Sequence, residues 1–357
     1  MVAPAVTAEA IRAQRLHNQQ LAKPQLSADQ VVAAFGAIQA QEYAHAKWAL
    51  GIRSGASDTE VEQLIADGKI LRTHPMRMTH HFVAPADIRW LLALLAPSMH
   101  RRAAPRWREL GLDDKTVGKS HDVLARALAG GKHLDRAELA TVYKRAGIST
   151  QGQRLPHLLA RAELAGLICS GARKGKQITF ALLDERVPRT KSLTRDAALA
   201  ELAKRYFTTR GPASLQDFMW WSGLAAADAR EAVALADRDI VADTIDGKSY
   251  YRGPRAAPTR TPTQAFLLGA YDEYAVAYKD RSAIGKPPTK PKNFGEATLL
   301  GPIIVVGGEV VGGWRRTIGP KRVAIALSPW RKLAAREQAI VEAACDRYAK
   351  FLGIPRA

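Results

Sequence analysis

The sequence predicts an α+β fold: three tandem winged-helix units, then a small β-rich, barrel-like C-terminal domain with a closing helix. Three observations carry this. Short helical segments followed by a paired β-type segment recur three times along the chain. The composition changes after about Arg252, where PRAAPTRTPT reads as a linker and glycine-kinked strands follow. At 357 residues, 47% hydrophobic and 24% charged, the chain can build two to four compact units. The predicted segments are 1–110, 111–192, 193–256 and 257–357.

In the first unit, Ser27 and Ser57 are expected N-caps for SADQVVAAFGAIQAQ and SDTEVEQLIADGKI, the second with the Ser57–Glu60 spacing of a capping box. A hairpin is expected in ILRTHPMRMTHHFVAP, with Pro75 at its bend. In the second unit, Asp135 and Glu138 form a capping signature ahead of DRAELATVYKRAGI, and Gly147 ends that helix. The next helix, QGQRLPHLLARAELAGL, has Pro156 in its first turn. Leu155, Leu158, Leu159, Ala162 and Leu167 fall on its buried side, and Arg154, His157 and Arg161 on the other. Strands LICS and QITFALL flank GARKGK, a basic glycine loop whose Arg173, Lys174 and Lys176 can meet phosphates.

The third unit opens with Ser214 capping SLQDFMWWSGL, continues through AADAREAVALA and closes in a hairpin with an Asp246-Gly247 turn. Beyond it, IIVVGGEVVGGWRRTIG and RVAIALS read as strands, IGKPPTKPKNFG as a loop, and AREQAIVEAACDRYAKFLGI as an amphipathic helix. Gly312 to Arg316 describe a tight β turn with Trp314 buried and two solvated arginines.

Charge points to a partner. Lys+Arg total 53 against 34 Asp+Glu, a formal +19, and such a surface attracts polyanions by counterion release. Nucleic acid is the leading partner; a merely basic protein, or one touching anionic lipid, is the bland alternative. No apolar run nears the ~18 residues of a membrane span, and the N-terminal stretch lacks a secretory pattern. The expected location is therefore cytoplasmic, nucleoid-associated if the partner is DNA. Cys169 and Cys345 stand far apart without a CxxC or Cys/His grouping, so neither a disulfide nor a metal site is expected, and both read as core residues. No cofactor motif is present: the sequence lacks a phosphate-binding glycine loop, HExxH, GxSxG and a zinc-deaminase signature.

What remains is Gln39-Ala40-Gln41-Glu42, a polar cluster after Val31, Val32, Phe35 and Ile38, expected at the end of a core helix. Gln39 and Gln41 can simply satisfy backbone groups where two helices meet. They can also orient a water and hold a sugar or phosphate. An amide has no useful basicity, so that chemistry requires a good leaving group, such as a cationic N7- or N3-alkylated purine. Reaching a base inside the duplex requires flipping or distortion. The THPMRMTHH segment offers Arg77, Met78, Thr79, His80 and His81 as a DNA-contacting hairpin, with His74 beside them.

GAIQAQEYAHAKWAL followed by LRTHPMRMTHHFVAPADIRWL resembles the AlkZ/YcaQ-type winged-helix DNA glycosylases, as do RGPASLQDFMWWSGL, LLGAYDEYAVAYKDRS and IVVGGEVVGGWRR in the same order. The resemblance implies a cofactor-free, monofunctional glycosylase with tandem winged helices around a basic concave surface. It would excise alkylated purines from damaged double-stranded DNA in base excision repair, in some members opening interstrand crosslinks. The family's Gln-x-Gln or Gln-x-Asp pair falls on Gln39 and Gln41. Its MRGTLH-like hairpin falls on Met76–His81, with Met78 in place of a glycine and His80 in place of an apolar residue. Tyr271, Asp272, Tyr274, Asp280 and Arg281 match an aromatic-acidic landmark; an Asp–Arg pair there, between strands, reads as structural, and no chemistry is assigned to it. The rival is a non-enzymatic winged-helix DNA-binding or regulatory protein whose Arg154 helix reads a major groove. With no heptad pattern to pair two chains, a monomer is expected.

Overall fold

The structure is a computed structural model that describes residues 7–189, 192–245, 247–255, 258, 260–288 and 298–357. Helix α1 (Ala8–Asn18) precedes α2 (Ala28–Phe35), at whose start Gln30 Oε1 accepts from the Ser27 N–H at 3.0 Å. Gly36 ends α2 at φ 72°, a left-handed value at which a side chain would be strained. The chain then extends through β1 (Ile38–Gln39) into α3 (Tyr43–Ser54) and α4 (Asp58–Ala66). The Gln39–Gln41 cluster thus lies on extended backbone between helices. It does not end a core helix, because Gly36 has already broken α2.

Strands β2 (Leu71–Met76) and β3 (Thr79–Val83) form the expected hairpin. Its bend is Arg77-Met78, both left-handed at φ 53° and 57°, rather than Pro75. Pro75 sits inside β2 where the register slips between Thr73 and Met76; lacking an N–H, it is tolerated at a bulge. Next come α5 (Ile88–Glu109), α6 (Asp114–Leu128), β4 (Leu134–Asp135), α7 (Arg136–Arg145), α8 (Arg154–Leu164), β5 (Ile168–Ser170), β6 (Thr179–Leu182) and the short α9 (Leu183–Arg186). The antiparallel order is β4-β6-β5. The α7 capping box is Asp135/Glu138 as expected, and Leu155, Leu158, Leu159 and Ala162 are buried on α8. Leu167 lies beyond the helix, where its carbonyl accepts from Leu183 N–H at 3.0 Å.

Then follow α10 (Arg195–Arg210), α11 (Leu215–Ser222) with its Ser214/Asp217 capping box, α12 (Ala226–Leu235) and the hairpin β7 (Val241–Ile245)–β8 (Lys248–Arg252). Gly247 of its turn has φ 72°, whereas Asp246 lies outside the described residues, as do 256, 257 and 259 of the linker segment and residues 289–295 of the IGKPPTKPKNFG segment. The order helix, short extended segment, helix, helix, strand, strand occurs at α2–β3 and α6–β6, and α10–β8 repeats it with a single Ala213↔Tyr251 bridge as the extended segment.

The C-terminal part contains β9 (Ala265–Leu268), α13 (Glu273–Val276), β10 (Ile303–Val306), β11 (Glu309–Ile318), β12 (Val323–Pro329) and α14 (Ala335–Leu352). Among the described residues its sheet is an open antiparallel meander, β9-β10-β11-β12, and not a closed barrel. Four strands cannot curl round to meet, and α14 packs on β9. Gly312–Arg316 lie within β11, while the tight turn is Gly307-Gly308 at φ 57° and 76°. Trp314 is buried and its Nε1 donates to Leu268 O at 2.8 Å; Arg315 is exposed, and Arg316 lies over the Tyr348 ring.

By contacts the chain forms two compact units, residues 1–62 with 199–357, and residues 63–198. Cys169 and Cys345 are both buried free thiols; burial pushes them up to about 12 and about 11, so both are inert core groups. No helix among the described residues is long and apolar enough to cross a membrane.

A left-handed non-glycine residue costs on the order of 1–3 kcal/mol, against roughly 0.5–1 kcal/mol for glycine's greater unfolded freedom. Met78→Gly should therefore raise stability by about 1 kcal/mol, read as a higher urea midpoint at unchanged slope. An unchanged or lower midpoint would mean that the Met78 side chain repays its backbone strain by packing.

Candidate active site and DNA-contacting segments

Gln39 is 7% exposed, Ala40 is fully buried and Gln41 is exposed. The backbone carrying them is held by side chains from distant elements of the same unit. The Gln39 backbone N–H donates to Glu273 Oε1 at 2.9 Å. Glu273 Oε2 accepts from Arg210 Nε at 2.8 Å and from Trp221 Nε1 at 3.1 Å. Arg210 in turn donates to Phe35 O at 3.1 Å, Ala37 O at 2.7 Å and Thr209 Oγ1 at 2.9 Å, and stacks 4.3 Å from the Trp221 ring centroid. Arg210 and Glu273 both have no exposed surface. Alternate polar groups from residue 35 to residue 39 are thereby tied to one buried ion pair.

A second buried pair stands beside the first. Arg53 donates bidentately to Asp272 at 2.8 and 2.6 Å and to Gln19 Oε1 at 3.0 Å. Gln19 Nε2 donates to the Tyr278 hydroxyl at 2.9 Å, and Tyr278 donates to Arg210 O at 2.7 Å. Asp272 also caps α13 by accepting from Tyr274 N–H at 2.9 Å. The structural Asp–Arg pair is therefore Asp272 with Arg53 of helix α3, not a pair between strands. Asp280 instead accepts from Ser282 N–H, and Arg281 donates to Ala275 O. Sequence reasoning missed Arg53, Arg210 and Glu273, since nothing local distinguishes a buried arginine from a surface one. Their only sequence signal was a place inside apolar stretches.

His45, in the first turn of α3, accepts at Nδ1 from Ala270 N–H at 3.1 Å and packs under Gly269, where a Cβ would come within 2.7 Å of His45 Cβ. This pins the loop in which Tyr271 adopts φ 58°. Burial, then the Arg316 charge, lowers the His45 pKa to about 4.

In the other unit, Arg77, Met78 and Thr79 sit at the hairpin turn, each part-exposed. His81 is fully buried; its Nδ1 lies 2.9 Å from Thr79 O and its Nε2 3.3 Å from Arg77 Nη2, so it braces the arginine from below. His80 is pushed far below the usual histidine range, chiefly by burial and then by His74, Arg72, His81 and Arg136, and is neutral at neutral pH. Arg154 donates to Leu110 O, to Gly111 O at 3.4 Å and to Ser149 O at 3.0 Å; Arg161 donates to Leu112 O at 3.3 Å and lies over Trp107. Both guanidinium groups thus satisfy carbonyls at and beyond the end of α5. Arg154, His157 and Arg161 on this face of α8 are each part-exposed. Lys174 bridges to Glu138 at 2.8 Å, Arg173 is half-buried, and Lys176 is exposed next to Gly175 at the loop tip.

The AlkZ-like DNA glycosylase family model matches residues 32–351. A curated relative, an interstrand DNA cross-link repair glycosylase of Streptomyces sahachiroi, is 27% identical over 309 residues, covering 81% of this chain and 82% of the relative. The solved structure of the Streptomyces sahachiroi DNA glycosylase AlkZ superposes with a TM-score of 0.77 at 23% identity, over 98% of this chain and 97% of that one.

Two outcomes follow from the buried groups. Glu273→Gln leaves Arg210 as an uncompensated buried cation and should destabilise the fold by about 3–5 kcal/mol, measured by urea unfolding; a loss below about 1 kcal/mol would mean the pair is not desolvated. For His45, the unfolded chain takes up a proton near the ordinary value of 6.5 and the folded chain only near 4. Stability should therefore fall as pH drops from about 6.5 to about 4, and His45→Gln should flatten that slope. An identical slope in the variant would remove His45 as a cause.

Proposed function

Because this chain belongs to the AlkZ-like DNA glycosylase family, we propose that it hydrolyses the N-glycosidic bond of cationic, alkylated purines in double-stranded DNA. Interstrand crosslinks of the kind named for its Streptomyces relative are among its substrates. Gln39 and Gln41 are the catalytic pair: they hold the attacking water and steady the developing sugar cation. The lesion's own charge supplies the leaving-group activation, so positioning is the protein's main contribution. The observation that carries this reading is the fixation of the Gln39 backbone by Glu273 and Arg210. Preorganised groups of this sort gain catalytic value because they need not reorganise as charge develops.

The Arg77-Met78-Thr79 turn, braced by His81, stabilises distortion of the duplex, and Lys176 with Arg173 contacts phosphates. The +19 charge supports polyanion binding. We further read the recurring element order as three winged-helix units spanning 1–110, 111–192 and 193–256, acting in a monomer.

Base release from duplex DNA containing N7-methylguanine, scored by alkaline cleavage at abasic sites, tests the pair. Gln39→Ala and Gln41→Ala should each slow release by roughly 10²-fold or more while DNA affinity, and its steep decline with salt, persist. Full activity in both variants would return the two amides to a structural role.

A further inference from the structure

Two histidines and a glutamate near the hairpin turn form a group that the proposed base excision does not use. The bulge in β2 sets His74 and Pro75 against His80 alone, between the paired residues Thr73↔His81 and Met76↔Thr79. The two imidazoles are in close tilted contact, with ring centroids 3.7 Å apart and planes inclined by 41°. Helix α8 packs against β2 and brings Glu163, only 2% exposed, to 2.5 Å from His74 Nδ1. One donor atom from each of His74, His80 and Glu163 lies within 4.8 Å of the other two.

A buried carboxylate in the last turn of α8 is costly unless a cation or strong donors compensate it. Two imidazoles and one carboxylate also form a donor set that suits a borderline cation, whereas magnesium and calcium favour all-oxygen surroundings. Zinc–nitrogen bonds of about 2.0–2.1 Å and zinc–oxygen bonds of about 2.0–2.2 Å place tetrahedral ligands roughly 3.3–3.5 Å apart. The short His74–Glu163 contact would open by about 1 Å and the widest separation would close by roughly 1.5 Å, changes within reach of side-chain rotation. The sequence hides this group, because Glu163 is more than eighty positions from the histidines and no short motif joins them.

We propose that His74, His80 and Glu163 bind one divalent transition-metal ion of the zinc class, with water completing a four-coordinate shell. The ion ties both strands of the hairpin to α8 just below the strained Arg77-Met78 turn. It is a structural brace, and its existence does not depend on the glycosylase reading.

The test uses the untagged full-length protein, stripped with a chelator and titrated with Co²⁺ as a spectroscopic stand-in for zinc. The expected result is saturation at one equivalent with the intense visible absorption of a tetrahedral cobalt site, bleached when Zn²⁺ is added. Zn²⁺ should also raise the thermal unfolding midpoint. His80→Ala and the near-isosteric Glu163→Gln should each weaken uptake by at least about tenfold and abolish the thermal shift, with far-UV dichroism and cooperative unfolding showing that they are folded. Absence of a saturable one-equivalent site overturns the proposal. So does equal uptake by the folded His80→Ala and Glu163→Gln proteins, which would place the ion on other histidines.

Discussion

The position of the Gln39 segment depends on one desolvated ion pair, Arg210–Glu273. Burying two charges is expensive, and the cost is offset only when the geometry is good and the remaining lone pairs and protons are also satisfied. Here they are used economically. The carboxylate accepts from the Gln39 backbone N–H and the Trp221 indole as well as from Arg210, and the guanidinium donates its other protons to the carbonyls of Phe35 and Ala37. The groups it satisfies are those exposed when α2 stops at Gly36 and the chain extends. The same interaction that makes the buried charges tolerable therefore fixes the backbone of the candidate catalytic residue. Through Gln19 and Tyr278, the Arg53–Asp272 pair joins this network, so α1, α3, α10, α11 and the segment entering α13 share one polar centre.

Among the described residues, left-handed non-glycine backbone occurs at Gln20, at Tyr271 and at the Arg77-Met78 turn. Tyr271 is left-handed in the loop pinned by His45, and Arg77 and Met78 are both left-handed in the hairpin turn. A two-residue hairpin turn of this hand ordinarily takes Asn-Gly or a similar pair. Keeping an arginine and a methionine there sacrifices local stability for side chains at an exposed tip, a pattern common to functional sites. His81 beneath Arg77 is consistent with that: its ring is wholly buried, yet it is aimed at a part-exposed cation.

Local signals were legible in the sequence, and long-range ones were not. The capping residues Ser27, Ser57, Asp135 and Ser214 mark helix starts because a cap is a contact over three residues, and each is found in place. The hairpin was legible from its flanking alternation, but its bend was misplaced at Pro75, since proline is common in turns and the bulge that accommodates it depends on register. Helix α5 was not legible from local signals, because it continues through Pro97 and Pro105, residues that are unfavourable inside a helix. The open C-terminal sheet could not be told from a barrel, because closure depends on strand number and tilt. For the site, Gln39 and Gln41 stood out as amides after an apolar run. Arg53, Arg210, Asp272 and Glu273 did not stand out as partners, since the ion pairs join positions 219 and 63 residues apart.

The central claim is that Glu273 acts through Gln39, and a double-mutant cycle on single-turnover base release tests it most directly. Gln39→Ala, Glu273→Gln and the double variant would be compared at a low temperature where unfolding curves show all three folded. If the buried carboxylate serves to hold the amide in place, the double variant should release base no more slowly than Gln39→Ala alone, so the two losses are far from additive. Fully additive losses would mean that Glu273 contributes independently of Gln39, and would contradict the account.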